Sequence, residues 1–445
     1  MSGESGRRLY LAAGSVLATQ AAVGAASLAT TPFIIHYEGV ERFGLFSLVV
    51  SAQVVVALSD LGVANTVLTG YPKAAAAGDR ATAQQLVQRA IARCVRIAAA
   101  IAGFAAAVAV APLPWKSLLH TASVPASEVR YSVAVLLGCT ALNVVGLVAF
   151  KLRQAQGHSG SAAGVVGLAS LVGIGATVVA AWLHAPVEVL VAATLVPIAL
   201  SRLWLIVPSR LAMRSLAQRQ AAVAVGVEDR GHAAFFAFVQ LVAVFAYEID
   251  QVIVATVGGV RQVALYAVVA KVASVALLVM GAVATPLWPY LSAAIARRDA
   301  IAATRAVVQS VAGLGVVAAA LVASWSLWGD AIWRFVGNGR LHPGRFLVAG
   351  FSILLLLRAV DTVSSTYLNA VPVVRFQVIC ATAVLVTNVP ASILLVQRYG
   401  AAGAVWGSVA TQIPCVSVPY LVRLRRHLHM LRTSSTPLPV ATKET

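Results

Sequence analysis

Seven ionisable side chains lie inside long apolar segments: Asp60, Arg202, Glu248, Asp250, Lys271, Arg358 and Asp361. A charge at mid-membrane costs about 2.5–3.5 kcal/mol on insertion scales, so each must face protein or a wet cavity. Carboxylates at that depth can take up H+ or Na+. Ammonium and guanidinium groups can hold an anionic headgroup, and arginine's planar fork suits phosphate. Lys271, Arg358 and Arg202 are therefore the candidate substrate-binding cations. Glu248, Asp250, Asp361 and Asp60 are the candidate ion-coupling carboxylates.

Each has a structural alternative. Glu248 and Asp250 sit late in one apolar segment and Lys271 early in the next, so an ion pair across the hairpin is available to them. Such a pair either pins the hairpin or switches with transport. Arg358 and Asp361 are three apart and share a helix face. They neutralise each other or line a cavity. Arg202 lies near a segment end, where its stem can snorkel to the interface. Asp60, in Leu58-Ser59-Asp60-Leu61-Gly62, can cap a helix break.

The elements that position these groups follow from composition. The chain is 60% hydrophobic and 11% charged, against about 25% charged in an average soluble domain. Twelve long apolar segments, from Leu9–Ile35 to Ala401–Val422, reach the roughly 20 residues a spanning helix needs. They lack strict alternation and are too long for tilted barrel strands. The fold class is all-α: a polytopic membrane protein of about 12 transmembrane helices. The first run is too long for a signal-peptide core, so an uncleaved first helix is expected.

The net charge of +18 is a topology signal. With Met1 on one side, that side collects the large majority of the loop Lys and Arg, including Arg7, Lys73, Arg80, Lys151, Arg297 and Arg426. The positive-inside rule makes it cytoplasmic, with both termini there. The excess serves anionic lipid headgroups, not nucleic acid. No GxxxxGK[ST] loop, HExxH or metal-spaced cluster occurs, so no nucleotide motor, metal or cofactor is expected. Cys94, Cys139, Cys380 and Cys415 are scattered and form no CxxC pair. The eight histidines lie near segment ends or in loops. Pro197, Pro286, Pro289, Pro390, Pro414 and Pro419 lie within segments and can kink them.

The two halves read as repeats. Gly39-Val40-Glu41-Arg42-Phe43-Gly44-Leu45-Phe46 aligns with Gly259-Val260-Arg261-Gln262-Val263-Ala264-Leu265-Tyr266, 220 residues later. Asp79 and Asp299 correspond at the same offset. An even number of helices per half makes the repeat parallel, about an axis along the membrane normal. The expected organisation is a six-helix bundle over 1–211, a cytoplasmic linker over 212–233, a second six-helix bundle over 234–423 and a cytoplasmic tail over 424–445.

The stretch Gly39–Leu48, then Ser59-Asp60-Leu61-Gly62 and Asn65, then Tyr71–Asp79, resembles the polysaccharide flippases of the multidrug/oligosaccharidyl-lipid/polysaccharide (MOP) exporter superfamily. The resemblance extends through topology over almost the whole chain. It implies two six-helix bundles around a central, often cationic cavity bordered by spans one, two, seven and eight. It also implies a polyprenyl-diphosphate-linked oligosaccharide as substrate, carried to the outer leaflet for lipopolysaccharide or exopolysaccharide assembly, with H+ or Na+ as coupling ion. The implied setting is a bacterial inner membrane, with membrane lipids and other polysaccharide-assembly proteins as partners. Span one carries no cation beyond Arg7 and Arg8, unlike the lipid II flippases of the superfamily. A multidrug-type exporter of organic cations is the alternative reading. A membrane glycosyltransferase, polymerase or ligase is a third, disfavoured because the outer loops are small; no enzyme is expected.

Overall fold

The computed structural model describes residues 3–56, 63–76, 79–111, 114–119, 123–156, 158–206, 249–371 and 373–433. Asp60, Glu248 and the whole expected linker 212–233 lie outside these residues. Among the described residues there is no strand. The N-terminal half holds α1 (Gly3–Val56), α2 (Val63–Ala76), α3 (Arg80–Val110), α4 (Trp115–Leu119), α5 (Ala126–Ala155), α6 (Ser159–Trp182) and α7 (Val187–Trp204). The C-terminal half holds α8 (Asp250–Ile253), a π turn (Val254–Gly258), α9 (Val260–Ala296), α10 (Ala300–Val336), α11 (Arg345–Ala370), α12 (Val374–Tyr399) and α13 (Ala401–Gln412). A second π turn (Ile413–Ser417) and α14 (Val418–Thr433) complete it. Nine segments among the described residues are long and apolar enough to cross a membrane. Large apolar side chains such as Phe104, Leu168, Trp182, Val316 and Leu327 stand on the outside of the bundle. This is a multi-pass membrane protein.

The expected break between the first two spans lies inside α1. Gly39 has φ 84° and ψ 177° there. Its partner in the repeat, Gly259, has φ 81° and ψ 167° and starts α9. A residue with a Cβ is strained in that region, so glycine at both positions follows from the backbone. The other end of the hairpin repeats as closely. Asp79 Oδ1 accepts from Thr82 N at 2.9 Å to cap α3, and Asp299 Oδ1 accepts from Ala302 N at 2.8 Å to cap α10. Just before each cap, Asp79 N donates to the Ala74 carbonyl and Asp299 N to the Ala294 carbonyl, both at 3.0 Å. The parallel repeat is thus present in backbone conformation at both ends of the hairpin.

The prolines act less uniformly than expected. Helices α7 and α12 continue through Pro197 and Pro390. Pro414 coincides with a departure from α geometry, the second π turn.

The halves meet at the end of the bundle that carries Gly39 and Gly259. Ile34, Ile35, Phe43 and Leu45 are fully buried in one cluster with Val260, Val263 and Ala264. Gly44 lies so close to the Val260 carbonyl that a Cβ there would collide with it. Arg340 Nη1 donates to the Ile35 carbonyl at 3.1 Å, and Asn338 Nδ2 meets His36 Nδ1 at 3.1 Å. Helix α4 touches the first π turn. At the Asp79 end the N-terminal half keeps its own cluster, built on Tyr71, Ala74, Val87, Ala90 and Val148. That cluster contains no C-terminal residue. The halves are joined at the glycine end.

Candidate functional site

Two features collect the chemistry: a carboxylate cluster within the C-terminal half and a cavity between the halves.

Asp250 is buried near the start of α8. Asn388 Nδ2, from the middle of α12, donates to its Oδ1 at 3.1 Å. Ser408 Oγ of α13 donates to its Oδ2 at 2.6 Å, and the Tyr266 hydroxyl reaches the same oxygen at 3.4 Å. Asn388 is a hub: its Oδ1 accepts from Ser392 Oγ at 2.9 Å and from Ser408 Oγ at 3.4 Å. Ser392 Oγ also reaches the Ala404 carbonyl at 3.4 Å. Oxygens of Asp250, Asn388, Ser392, Ser408 and Ala404 are therefore linked in one buried hydrogen-bond network. Among the described residues no three His, Cys, Asp or Glu converge on a metal-sized point.

Asp361 forms a second centre on α11. Its Oδ2 accepts from Gln412 Nε2 at 2.8 Å and Ser417 Oγ at 2.9 Å, while its Oδ1 is buried without a partner. Ser408, Gln412 and Ser417 thus point one stretch of chain at both carboxylates. The spacing from 412 to 417 is one residue longer than a turn of α-helix allows. The π turn Ile413–Ser417 absorbs that residue, and π turns of this kind recur at functional sites. The Arg358 charge acts on Asp250 and Asp361 alike. Sequence spacing paired Arg358 with Asp361 alone; the fold adds Asp250.

The hairpin ion pair expected for Lys271 does not form with Asp250. Lys271 turns toward the other half instead. Its Nζ lies 3.5 Å from both the carbonyl and the hydroxyl of Ser27 on α1, and 5.8 Å from the Phe43 ring centroid. The reason is packing: Asp250 faces α12 and α13, whereas Lys271 lies on the side of α9 that meets α1. Lys271 there borders a cavity of about 390 Å³ between the halves, with Ser27 and Ser274 beside it and Val23, Leu28, Leu277 and Leu278 completing the wall.

Arg202 does not snorkel. Its Nη1 donates to Asn143 Oδ1 at 3.2 Å, its guanidinium lies 5.9 Å from the Phe150 ring, and its Nε is buried without a partner. It belongs to the α5–α7 contact, where Gly146 allows the two helices to touch. Sequence reasoning missed the neutral members of the site. Asn388 and Gln412 are amides inside apolar segments, and that was the available signal. It also missed His427, which is buried and meets the Tyr367 hydroxyl at 2.9 Å.

No protein-family model matches the chain, and no curated protein matches it. Solved structures do. An inward-facing multidrug resistance MATE transporter of the MOP superfamily superposes with a TM-score of 0.68 at 16% identity, over 95% of this chain and 96% of that one. An outward-facing multidrug resistance MATE transporter gives 0.60 at 16% identity, over 95% and 96%. A MOP superfamily transporter from Pyrococcus furiosus, described as having a binding pocket of reverse polarity, gives 0.61 at 16% identity, over 96% of both chains. The chain has the two-lobed, twelve-helix fold of the MATE transporters of the MOP superfamily.

Proposed function

We propose that this protein is a flippase that moves a polyprenyl-diphosphate-linked oligosaccharide across the cytoplasmic membrane by ion-coupled alternating access. The observation that carries this reading is Lys271. It sets one ammonium and two hydroxyls at one part of an otherwise apolar cavity between the halves. That polarity suits an anionic headgroup joined to a hydrocarbon chain and is unfavourable to an organic cation.

The physics of the cargo sets the requirement. A bare ionised group in hydrocarbon costs tens of kcal/mol by idealised Born estimates. A hydrated cavity with a fixed cation lowers that cost while the polyprenyl tail stays in lipid. Outward movement of an anion from a negative interior also releases about 2.3 kcal/mol per charge per 100 mV. The cytoplasmic side is the aspartate end, because the basic loops gather there, and the glycine end faces outward. The better superposition on the inward-facing transporter agrees with that arrangement. Asp250, with Asn388 and Ser408, is the proposed coupling-ion site. Asp361 ties α11 to α13 and to the second π turn beside it.

Purified protein in liposomes tests this with a fluorescent polyprenyl-diphosphate oligosaccharide. Lys271→Gln is expected to abolish flipping while the protein stays folded. Flipping at the wild-type rate by Lys271→Gln would exclude the cavity as the headgroup site. Export of organic cations is the second reading, favoured by the multidrug transporters that share the fold. Under it, Lys271→Gln keeps or improves cation export and Asp250→Asn removes it.

A further inference from the structure

Helix α3 and its repeat partner α10 bury the same face. Ala83, Val87, Cys94 and Ala98 are buried on α3, and Ala303, Val307, Leu314 and Ala318, each 220 residues later, are buried on α10. The opposite faces also correspond. Arg89, Arg93 and Arg96 are exposed on α3, and their partners Gln309, Gly313 and Val316 are exposed on α10. The two helices thus stand alike in their halves. One presents three guanidiniums where the other presents an amide, no side chain and an isopropyl group. The fold therefore does not require the arginines. Spaced four and three apart, they form one strip along α3.

The repeat also gives their depth. Val308, Val316 and Leu327 are exposed apolar side chains that mark where α10 meets lipid. Val308 to Leu327 is about 28 Å of helix, close to the roughly 30 Å of a hydrocarbon core. A parallel repeat about the membrane normal keeps partner positions at one depth. Arg89 then stands at the edge of the hydrocarbon nearest the aspartate end, and Arg96 about 10 Å of helix deeper. A cation on a lipid-facing surface there is unfavourable unless an anion meets it. The neighbouring helices offer none. Helix α3 packs on α2 and α5. Neither α2 nor α3 contains Asp or Glu, and Glu128 of α5 lies at the glycine end. Asp79, at the start of α3, is engaged with Thr82. The arginines turn back toward the helix start: Arg96 Nε donates to the Ala92 carbonyl and Arg89 Nη2 to Gln85 Oε1, each at 3.4 Å. That direction leads to the headgroups at the aspartate end, read above as cytoplasmic.

We propose that Arg89, Arg93 and Arg96 form a binding site for the phosphate of an anionic glycerophospholipid, held against the lipid-facing side of the N-terminal half in the cytoplasmic leaflet. Guanidinium forks match phosphate oxygens in pairs. The acyl chains lie along the apolar surface farther up α3, where Val95 and Phe104 are exposed. A membrane phospholipid is the occupant because the strip faces outward, whereas the cavity at Lys271 is walled by α1 and α9. The site is thus distinct from the cargo cavity and holds for either transport reading. The C-terminal half, with Val316 in place of Arg96, lacks it.

Native mass spectrometry of the purified full-length protein, with phosphatidylglycerol and phosphatidylethanolamine of matched chains added in equal amounts, tests this. The wild type is expected to retain phosphatidylglycerol over phosphatidylethanolamine. Arg93→Gln with Arg96→Gln is expected to lower phosphatidylglycerol affinity about fivefold for each guanidinium removed, and to leave phosphatidylethanolamine unaffected. Arg93→Lys with Arg96→Lys, which keeps the charge, is expected to retain most of the preference. Arg305→Gln, exposed on α10, is expected to change nothing. If the double Gln variant does not fold, Arg96→Gln alone carries the test. A wild type without preference, or an undiminished preference in the folded Gln variant, overturns the proposal. Displacement of phosphatidylglycerol by an equal concentration of a polyprenyl diphosphate, in the wild type but not in the Gln variant, would assign the strip to the cargo and overturn the phospholipid. Lipid retention is read without transport, so its outcome stands apart from that of the flipping assay.

Discussion

At the scale of single residues, Asp250 is the group whose removal should be most informative. Both of its oxygens are satisfied by side chains of its own half. A cation bound at a hundred times its Kd stabilises the folded state by about 2.7 kcal/mol. Thermal unfolding of the wild type is therefore expected to shift upward when Na+ replaces a bulky organic cation, if Na+ is the coupling ion. Asp250→Asn should erase that shift and Ser408→Ala reduce it. An Na+ response that persists in Asp250→Asn would place the ion elsewhere. The caps give a second prediction. Asp79→Ala and Asp299→Ala should each cost about 1 kcal/mol, the usual value of a lost N-cap. Denaturant unfolding of the two variants checks it, and the larger loss is expected for Asp79, which is buried and also accepts from Thr82 Oγ1 at 2.6 Å, whereas Asp299 is exposed.

At the scale of elements, the backbone contact between α1 and α9 at the glycine end depends on a missing methyl group at Gly44. Gly44 has no room for a Cβ against the Val260 carbonyl, whereas Gly103 has open space around it. Gly44→Ala is expected to push the glycine end apart, and Gly103→Ala to leave it unchanged. Spin-label distances across that end report the difference. The sequence made the hairpin legible because glycine and aspartate mark backbone conformations that few other residues serve well. The 220-residue offset therefore survived as geometry at Gly39 and Gly259. Side-chain partners were less legible. Position along consecutive segments brought Lys271 and Asp250 within reach of each other but could not say which side of each helix faced which neighbour. A rotation of 100° per residue decides that, and the π turns at Val254–Gly258 and Ile413–Ser417 change the phase. Gln412 and Ser417, five apart, reach Asp361 together across such a phase change, a spacing that regular α-helix would not bring to one face.

At the scale of the whole molecule, the joined glycine end would be one position of the rocking motion that the proposed alternating access requires. His36 and Asn338 lie in opposite halves with side chains 3.1 Å apart. In a background with the four native cysteines replaced, His36→Cys together with Asn338→Cys is expected to form a disulfide readily. That link should stop transport, and reducing agent should restore it. Free transport with the link fully formed would mean that the glycine end does not open. The proposed ion cluster would behave differently under that proposed motion. Tyr266, Asn388 and Ser408 on Asp250, and Gln412 and Ser417 on Asp361, all belong to the C-terminal half. Whatever sits there can travel as a passenger in a single vehicle, with no change of seat between the two sides of the membrane. Its hold is then the same at departure and arrival, and the direction of travel is set by which door is open and by the gradient outside.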